Sequence, residues 1–317
     1  MHLGDYMEKE EEIKELKIIH LRMYQVRKLE ELKLSRGIFN TEGLMLILNK
    51  DYRTQDGSRM LFKYLDLQDI PEIMNNKTKL LSYLNNSPYK ELDDLIIPEY
   101  QMYVDGFHSG FAMPLIENHK NLGVLLHSSK VPFKRKKELL IKLGNLIDKV
   151  DRVDSPNKMF FGDLNEYNFI LNSDDELKAI DLDSSYVEGI PEITPPSLVY
   201  YLLNNKYLGD LCAKYRKNED GKFVPNMDSD LYSYNMIILN TIARHSMFKE
   251  EIDTYYYYLH FLEKLGVDSR LIESFMNIYT NKGNINPRDL IEGIDDTLTH
   301  RSSFKQFQKK RAKWYYD

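Results

Sequence analysis

The spacing of apolar residues changes along this chain, and the change limits the folds open to it. Residues 33–114 hold short apolar and β-branched runs separated by turn-rich stretches at 40–43 and 55–58, a pattern typical of antiparallel strands joined by hairpins. One helix is predicted within this part, in EIMNNKTKLLSYLNNS after Pro71. Beyond Pro114 apolar residues recur every three or four positions, as in KRKKELLIKLGNLIDKV, which indicates helices. The sequence therefore predicts an α+β fold, with a small antiparallel sheet followed by a mostly helical part.

The N-terminal stretch has a composition of its own. From Tyr6 to about Leu32 it is rich in Glu, Lys and Leu and has no Gly or Pro, which favours a helix with charged, solvated faces. We predict a helical extension over residues 1–32, a strand-rich domain over 33–114 and a helical domain over 115–317 that ends in a basic tail.

Charge and cysteine content narrow the functional classes. The 43 basic and 49 acidic residues of this 317-residue chain give a net charge of −6, so no nucleic-acid partner is expected. A single cysteine, Cys212, excludes an intramolecular disulfide and a cysteine-built zinc site, and fits a reducing compartment. The sequence has neither an apolar run of membrane-spanning length nor a secretory signal, so we expect a cytoplasmic protein without a membrane partner.

Three polar residues stand beside apolar runs in FGDLNEYNFILNSDDELKAIDLD. Asp163 and Asn168 are five residues apart, and Asp181 follows eighteen residues after Asp163, inside a second short strand. Carboxylate and amide oxygens at the edge of a core suit a magnesium ion whose remaining ligands are phosphates, and phosphoryl transfer needs little more than such positioning and charge neutralisation. The plainer interpretation is that Asp163 caps a turn and Asp181 makes a surface ion pair.

This spacing resembles the catalytic segment of the protein kinase-like superfamily, in which an Asp and an Asn five apart are followed, after a hairpin, by a metal-binding Asp. The resemblance spans roughly residues 33–295 and implies a bilobal protein kinase-like fold, with a small sheet-and-helix N-terminal lobe and a larger helical C-terminal lobe. It also implies that ATP and magnesium are the cofactors.

Roles follow from the resemblance residue by residue. It implies Asp163 as the catalytic base, and Asn168 and Asp181 as the magnesium ligands. Lys63 stands where the family has the strand lysine that contacts the α- and β-phosphates of ATP. The segment 110–117 is similar to the hinge between the lobes, whose backbone binds adenine. The residues implied to form the nucleotide pocket are Met113, Leu115, Ile170 and Ile180.

A helix further along the chain is also similar to one of the family. The stretch DSDLYSYNMIIL resembles a buried helix of the large lobe, whose first acid, here Asp230, hydrogen-bonds the backbone of the catalytic loop. From the residues alone, Asp230 could equally be a plain N-terminal cap.

The chain departs from the family pattern at several positions. Phe161 replaces the usual His two residues before the catalytic Asp, so packing must replace a hydrogen bond. No GxGxxG loop is present. Asp183 gives the metal-binding triplet a second carboxylate, and Lys77 stands where the family has the Glu that pairs with the active-site lysine. Glu72 is the nearby acid on the same predicted helix, and we interpret it as the substitute partner of Lys63.

The leading hypothesis is an ATP- and magnesium-dependent kinase that phosphorylates a Ser/Thr hydroxyl of an unknown protein. Two alternatives keep the fold. The first is a small-molecule hydroxyl kinase, favoured by Gly162 and Asp183, which are reminiscent of aminoglycoside- and choline-type kinases. The second is a pseudokinase that binds nucleotide as a scaffold without turnover. A third is an α/β domain in which the spacing arose by chance.

Overall fold

The computed structural model describes residues 15–31, 43–49, 52–53, 57–65, 71–190, 215, 224–280 and 282–314. Within them, strands dominate up to residue 114 and helices dominate after it, which confirms the predicted α+β class. In this described part of the chain, no helix is long and apolar enough to cross a membrane.

A six-stranded sheet forms the first part. Its spatial order is β1-β5-β6-β4-β3-β2; β1 runs parallel to β5, and the other neighbouring pairs are antiparallel. The hairpin predicted around 55–58 is confirmed as the antiparallel pair β3 and β4, whereas the strand predicted before β3 and most of the turn at 40–43 lie outside the described residues. The strands are β1 (Lys17–Leu21), β2 (Glu30–Glu31), β3 (Gly43–Ile47), β4 (Met60–Leu65), β5 (Tyr100–Val104) and β6 (Phe107–Pro114).

The helix predicted for the N-terminal stretch is wrong over its described part. Lys17–Leu21 is strand β1, and only the four residues Met23–Val26 are helical. The exposed edge of β5 offers a row of backbone hydrogen-bonding groups to the β-branched pair Ile18-Ile19, and this pairing outweighs the helix propensity of the surrounding Glu and Lys residues. The rest of the predicted helix, residues 6–14 and residue 32, lies outside the described residues.

The sheet has two unlike faces because successive side chains of a strand point to opposite sides. On β4, Met60 and Phe62 are buried in a cluster with residues of β3, β5 and β6. Leu61 belongs to a different cluster on the opposite face, together with Met113 of β6. Lys63, two residues further along β4, therefore shares the face of Leu61.

Helices are the main elements in the rest of the described residues. The helix predicted after Pro71 is confirmed as α2, and the periodic stretches beyond Pro114 form α4 to α7. The helices are α1 (Met23–Val26), α2 (Pro71–Asn86), α3 (Leu122–His127), α4 (Phe133–Asp151), α5 (Met227–Ala243), α6 (Ile252–Lys264), α7 (Ser269–Asn277), α8 (Arg288–Ile291), α9 (Leu298–Arg301) and α10 (Phe304–Trp314).

Helix α5 lies at the centre of this helical part. Every residue from Ser229 to Ala243 is buried, so the helix is enclosed on all sides, and it carries polar residues such as Asp230 into the interior. Asn226 caps its N-terminus by accepting a hydrogen bond from the backbone N–H of Ser229. The basic tail is not a separate segment: α10 packs Phe304 and Phe307 against Tyr258 of α6.

Two small sheets carry the central motif, the segment 161–183 that contains Asp163, Asn168 and Asp181. The strand pair predicted for it is confirmed as a hairpin of β9 and β10, which joins β7 in a three-stranded sheet, while β8 pairs with β11. The strands are β7 (Lys120–Asn121), β8 (Met159–Phe160), β9 (Phe169–Leu171), β10 (Leu177–Ala179) and β11 (Tyr186–Val187).

Candidate functional site

Lys63 occupies a buried position in the middle of the six-stranded sheet. Its side chain is only 3% exposed although it carries a charge, so ionic partners are required. Gly110 on the neighbouring strand β6 has φ +144°, and a Cβ there would stand 1.9 Å from the Lys63 carbonyl oxygen. Glycine is therefore what allows β6 to approach the backbone of Lys63 so closely.

The loop that carries Asp163 is hydrogen-bonded to a side chain of helix α5. The buried carboxylate of Asp230 accepts hydrogen bonds from the backbone N–H groups of Phe161 at 2.7 Å and Gly162 at 3.0 Å. Gly162 has φ +68°, in the left-handed region that favours glycine. The predicted contact of Asp230 with this loop is confirmed, and the alternative of a plain N-cap is wrong because Asn226 caps the helix.

Burial strongly affects the Asp230 carboxyl. It raises the pKa of Asp230 to about 7, although the two backbone N–H donors lower it. Phe161, which stands where the resembled family has a His, is held by packing: it is buried in an edge-to-face contact with Phe169, ring centroids 5.5 Å apart.

Hydrogen bonds join Asp163 to Asn168, and Asn168 to the residue before Asp181. Asn168 Nδ2 donates to the Asp163 carbonyl oxygen at 2.9 Å, and the Asp163 carboxylate also accepts from Asn165 Nδ2 at 3.2 Å. The backbone N–H of Ile180 donates to the Asn168 carbonyl at 2.8 Å. Asp181 follows directly, with a left-handed backbone at φ +66°. The β9–β10 hairpin thus brings Asn168 next to the residue before Asp181.

Asp181 and Lys63 are in direct contact. Lys63 Nζ forms an ion pair with the carboxylate of Asp181 and a second one with Asp183, at 2.8 Å to Oδ1. The interpretation of Asp181 as a surface ion pair is wrong, because its partner is buried. For Asp163, the hydrogen bonds from Asn165 and Asn168 suit a turn residue as well as a catalytic one.

The pairing of Lys63 with Glu72 is also wrong. Glu72 lies on the exposed side of α2, where the negative charge stays hydrated, whereas the acids that contact Lys63 come from the turn after β10. That turn also meets Lys77 of α2, whose Nζ lies 2.9 Å from Asp183 Oδ2.

The pKa values of Asp181 and Asp183 are shifted in opposite directions. Burial raises the pKa of Asp181 to about 6, with Lys63 lowering it and Asp183 raising it. Burial also opposes ionisation of Asp183, but Lys63 and Lys77 together outweigh it and hold the pKa of Asp183 well below its usual range. Burial alone would lower the pKa of Lys63, but the two carboxylates outweigh it and raise that pKa well above its usual range.

An apolar cleft opens beside this cluster. It measures about 410 Å³ with its solvent-open part included. All four residues predicted for the nucleotide pocket line it, as does Asp181. The Leu115 backbone N–H donates to the Arg59 carbonyl at 2.7 Å, so this N–H serves the sheet and is not directed to a ligand. The lining residues are Met45, Leu61, Ile96, Met113, Pro114, Leu115, Ile116, His119, Ile170, Ile180 and Asp181.

Two of the polar side chains offer oxygen donors that suit a magnesium ion. Over the described ranges, no group of three or more His, Cys, Asp or Glu side chains is arranged to hold a metal. Asn168 donates through its amide nitrogen, which leaves the amide oxygen as a hard ligand, and Asp181 is a carboxylate that borders the cleft. This set fits magnesium, which accepts one or two protein oxygens when phosphates supply further ligands.

One component of the site is not apparent from local sequence patterns: the ion pair of Lys77 with Asp183. Each of the two residues stands in the sequence only as a departure from the pattern of the resembled family. A lysine within the apolar stripe of a helix was the available signal, since such a residue needs an acid from elsewhere in the chain.

No protein-family model matches the chain, and no curated protein is significantly similar to it.

Proposed function

We propose that the protein is an ATP- and magnesium-dependent phosphotransferase of the protein kinase-like superfamily. One observation carries the proposal: residues from separate segments form a continuous set of contacts at the edge of an apolar cleft. Lys63 contacts Asp181, Asp181 follows Ile180, Ile180 bonds Asn168, and Asn168 bonds Asp163. Phosphoryl transfer in kinases uses a lysine at the phosphates, side chains that hold magnesium, and a base that orients the acceptor hydroxyl.

The proposed fold is bilobal. The sheet with α2 corresponds to the small lobe, and the helices after Pro114 correspond to the large one. Support comes from the walls of the cleft, because Met45, Leu61 and Met113 belong to the six-stranded sheet while Ile170 lies on the β9–β10 hairpin and Ile180 directly follows it. A nucleotide base in the cleft would contact both parts.

The residues have distinct roles in the transfer. The Asp163 carboxylate accepts the proton of the acceptor hydroxyl, whose oxygen forms a bond to the γ-phosphorus as the bond to the β–γ bridging oxygen breaks and ADP leaves. Lys63 holds the α- and β-phosphates. Asn168 and Asp181 would hold magnesium, which supplies neutralisation of phosphate charge when bound.

The proposed acceptor is a Ser/Thr hydroxyl of a protein. A labelled-phosphate assay with magnesium and ATP, supplied separately with unstructured Ser/Thr-containing proteins and with small amino alcohols and amino sugars, tests this assignment. Label on the proteins alone supports it. Label on the small compounds alone would assign the site to a small-molecule kinase instead.

A pseudokinase is the second candidate, and the direct contact between Lys63 and Asp181 favours it. The carboxylate needed for magnesium is engaged with the lysine needed for phosphate, so nucleotide must displace this contact before turnover. Stabilisation of the protein by ATP without transfer to any acceptor or to the protein itself would support this candidate.

Variants of two aspartates test the catalytic proposal. Asp163→Asn should lower the transfer rate about 10²–10⁴-fold, the range for loss of a general base, with little change in ATP binding. Asp174→Asn changes an exposed acid of the β9–β10 turn in the same way and should keep the wild-type rate. Equal rates for wild type and Asp163→Asn would overturn the assignment of Asp163.

A further inference from the structure

Asp183 joins three segments of the chain that are distant in sequence. Its carboxylate contacts Lys63 of β4 at 2.8 and 3.0 Å and Lys77 of α2 at 2.9 Å, and its carbonyl oxygen accepts a further hydrogen bond from Lys77 at 3.1 Å. The strand, the helix and the turn at 182–184 are thus tied together through one acidic residue.

Complete burial of the charges of Asp183 and Lys77 carries a desolvation cost that their interaction must offset. The side chains of Asp183 and Lys77 are both 0% exposed. Lys77 lies on the buried side of α2 with Met74, Leu81 and Leu84, where an apolar residue would be expected. A buried charge is tolerated only with a well-placed partner, so Asp183 and Lys77 require one another.

The two acids that contact Lys63 differ in access to the cleft. Asp181 lines the cleft and its side chain is 24% exposed, whereas Asp183 is wholly enclosed and does not line the cleft. A ligand in the cleft can therefore replace Asp181 at Lys63 but cannot reach the Lys63–Asp183 contact.

Charges in the cluster balance. Lys63 and Lys77 contribute two positive charges, and Asp181 and Asp183 contribute two negative ones. When Asp181 turns to another ligand, Asp183 still holds Lys63 from the closed side. The position of the lysine is then maintained without the acid that leaves.

We propose that Asp183, itself held by Lys77, is the positioning residue that fixes Lys63 for phosphate binding and leaves Asp181 available for magnesium. This inference rests on the proposed function, because it assigns a role within that same site. The two acids, two residues apart, then have different roles: Asp181 binds the cation, and Asp183 positions the lysine.

Affinity for ATP without magnesium separates the two roles. The key variant is Lys77→Met with Asp183→Asn, which removes one charge of each sign and leaves neither Lys63 nor Asp181 without a partner. We expect it to bind ATP at least about tenfold more weakly than wild type by calorimetry in the presence of a chelator, equivalent to about 1.4 kcal/mol. Asp181→Asn should lose the gain in affinity that magnesium provides, but it should not weaken metal-free binding, because it removes the carboxylate that competes with phosphate for Lys63.

The control removes an ion pair elsewhere. Lys137→Met with Asp296→Asn deletes a pair between α4 and the loop before α9, two segments that contribute no residue to the cleft lining, and should bind ATP as wild type does. If the key variant remains folded by circular dichroism and binds metal-free ATP with wild-type affinity, the inference is overturned. Wild type that binds no ATP at all would instead overturn the proposed function.

A second variant applies if the key one does not fold. Asp183→Glu keeps both charges but moves the carboxylate by one methylene group, so Lys63 should shift and metal-free affinity should fall by a measurable factor. Unchanged affinity in this folded variant would equally overturn the inference.

Discussion

The carboxylate of Asp230 accepts a hydrogen bond from the backbone N–H of Phe161 at 2.7 Å, and this contact joins the central helix to the loop that carries Asp163. The same carboxylate binds the N–H of Gly162. Both donors lie within two residues of the proposed catalytic base. The placement of Asp163 thus depends on a buried acid of α5, 67 positions further along the chain.

Asp230 should make the stability of the protein depend on pH. Its folded-state pKa of about 7 exceeds the ordinary value of 3.8, so the folded protein binds more protons than the unfolded chain between these values. The contribution of Asp230 to stability therefore falls as the pH rises through this window. Asp230→Asn lacks the titration, and its destabilisation of about 1–3 kcal/mol at pH 5 should shrink towards pH 8.

Urea unfolding of wild type and Asp230→Asn from about pH 5 to about pH 8 measures this effect. The exposed Asp289→Asn serves as the control and should track wild type at every pH. A difference between wild type and Asp230→Asn that stays constant over the whole range would contradict the assigned titration.

Gly110→Ala should destabilise the sheet around Lys63. The new methyl group would stand 1.9 Å from the Lys63 carbonyl oxygen, a backbone atom that cannot move aside easily. We expect a loss of about 2–4 kcal/mol in the free energy of unfolding. Gly106→Ala is the matched control: Gly106 also has positive φ, but a methyl group there would meet nothing within 4 Å, so only the backbone strain of about 1–2 kcal/mol remains. Equal losses in the two variants would contradict the close approach.

Ile180→Ala should weaken ATP binding. Ile180 is half-buried and lines the cleft, so a bound nucleotide would cover apolar surface that the protein alone leaves partly open. Loss of about 1 kcal/mol of apolar contact corresponds to roughly fivefold weaker binding. Titration calorimetry compares it with Ile285→Ala, whose side chain is exposed on the helical part. Identical ATP affinity in both variants would place the nucleotide elsewhere.

Tyr89→Phe should destabilise the segment that leads into the Asp163 loop. The buried Tyr89 hydroxyl accepts a hydrogen bond from the backbone N–H of Met159 at 2.8 Å, and phenylalanine would leave this N–H without its acceptor. A cost of about 1–3 kcal/mol is expected in thermal or urea unfolding. Tyr257→Phe, at a half-exposed tyrosine of α6, should have almost no effect. A wild-type unfolding midpoint for Tyr89→Phe would contradict the role of the hydroxyl.

Local patterns explain which parts of the fold were predictable. Helix α4 repeats its apolar residues at helical spacing, and the turn at 105–106 separates two short apolar runs, so each element is readable within a window of a few residues. Strand β1 was not readable in this way. Its Glu- and Lys-rich surroundings favour a helix, and only the open edge of β5 makes the strand the better solution.

By itself the sequence determined the α+β class, the hairpin of the central motif and the spacing of Asp163, Asn168 and Asp181, because these depend on neighbours along the chain. The tertiary structure alone decided the partners of the buried charges. Lys63 meets Asp183 across 120 positions, and Lys77 meets it across 106. No local pattern encodes such contacts: a buried charge is stabilised by whichever opposite charge the packing of distant segments brings within hydrogen-bonding distance.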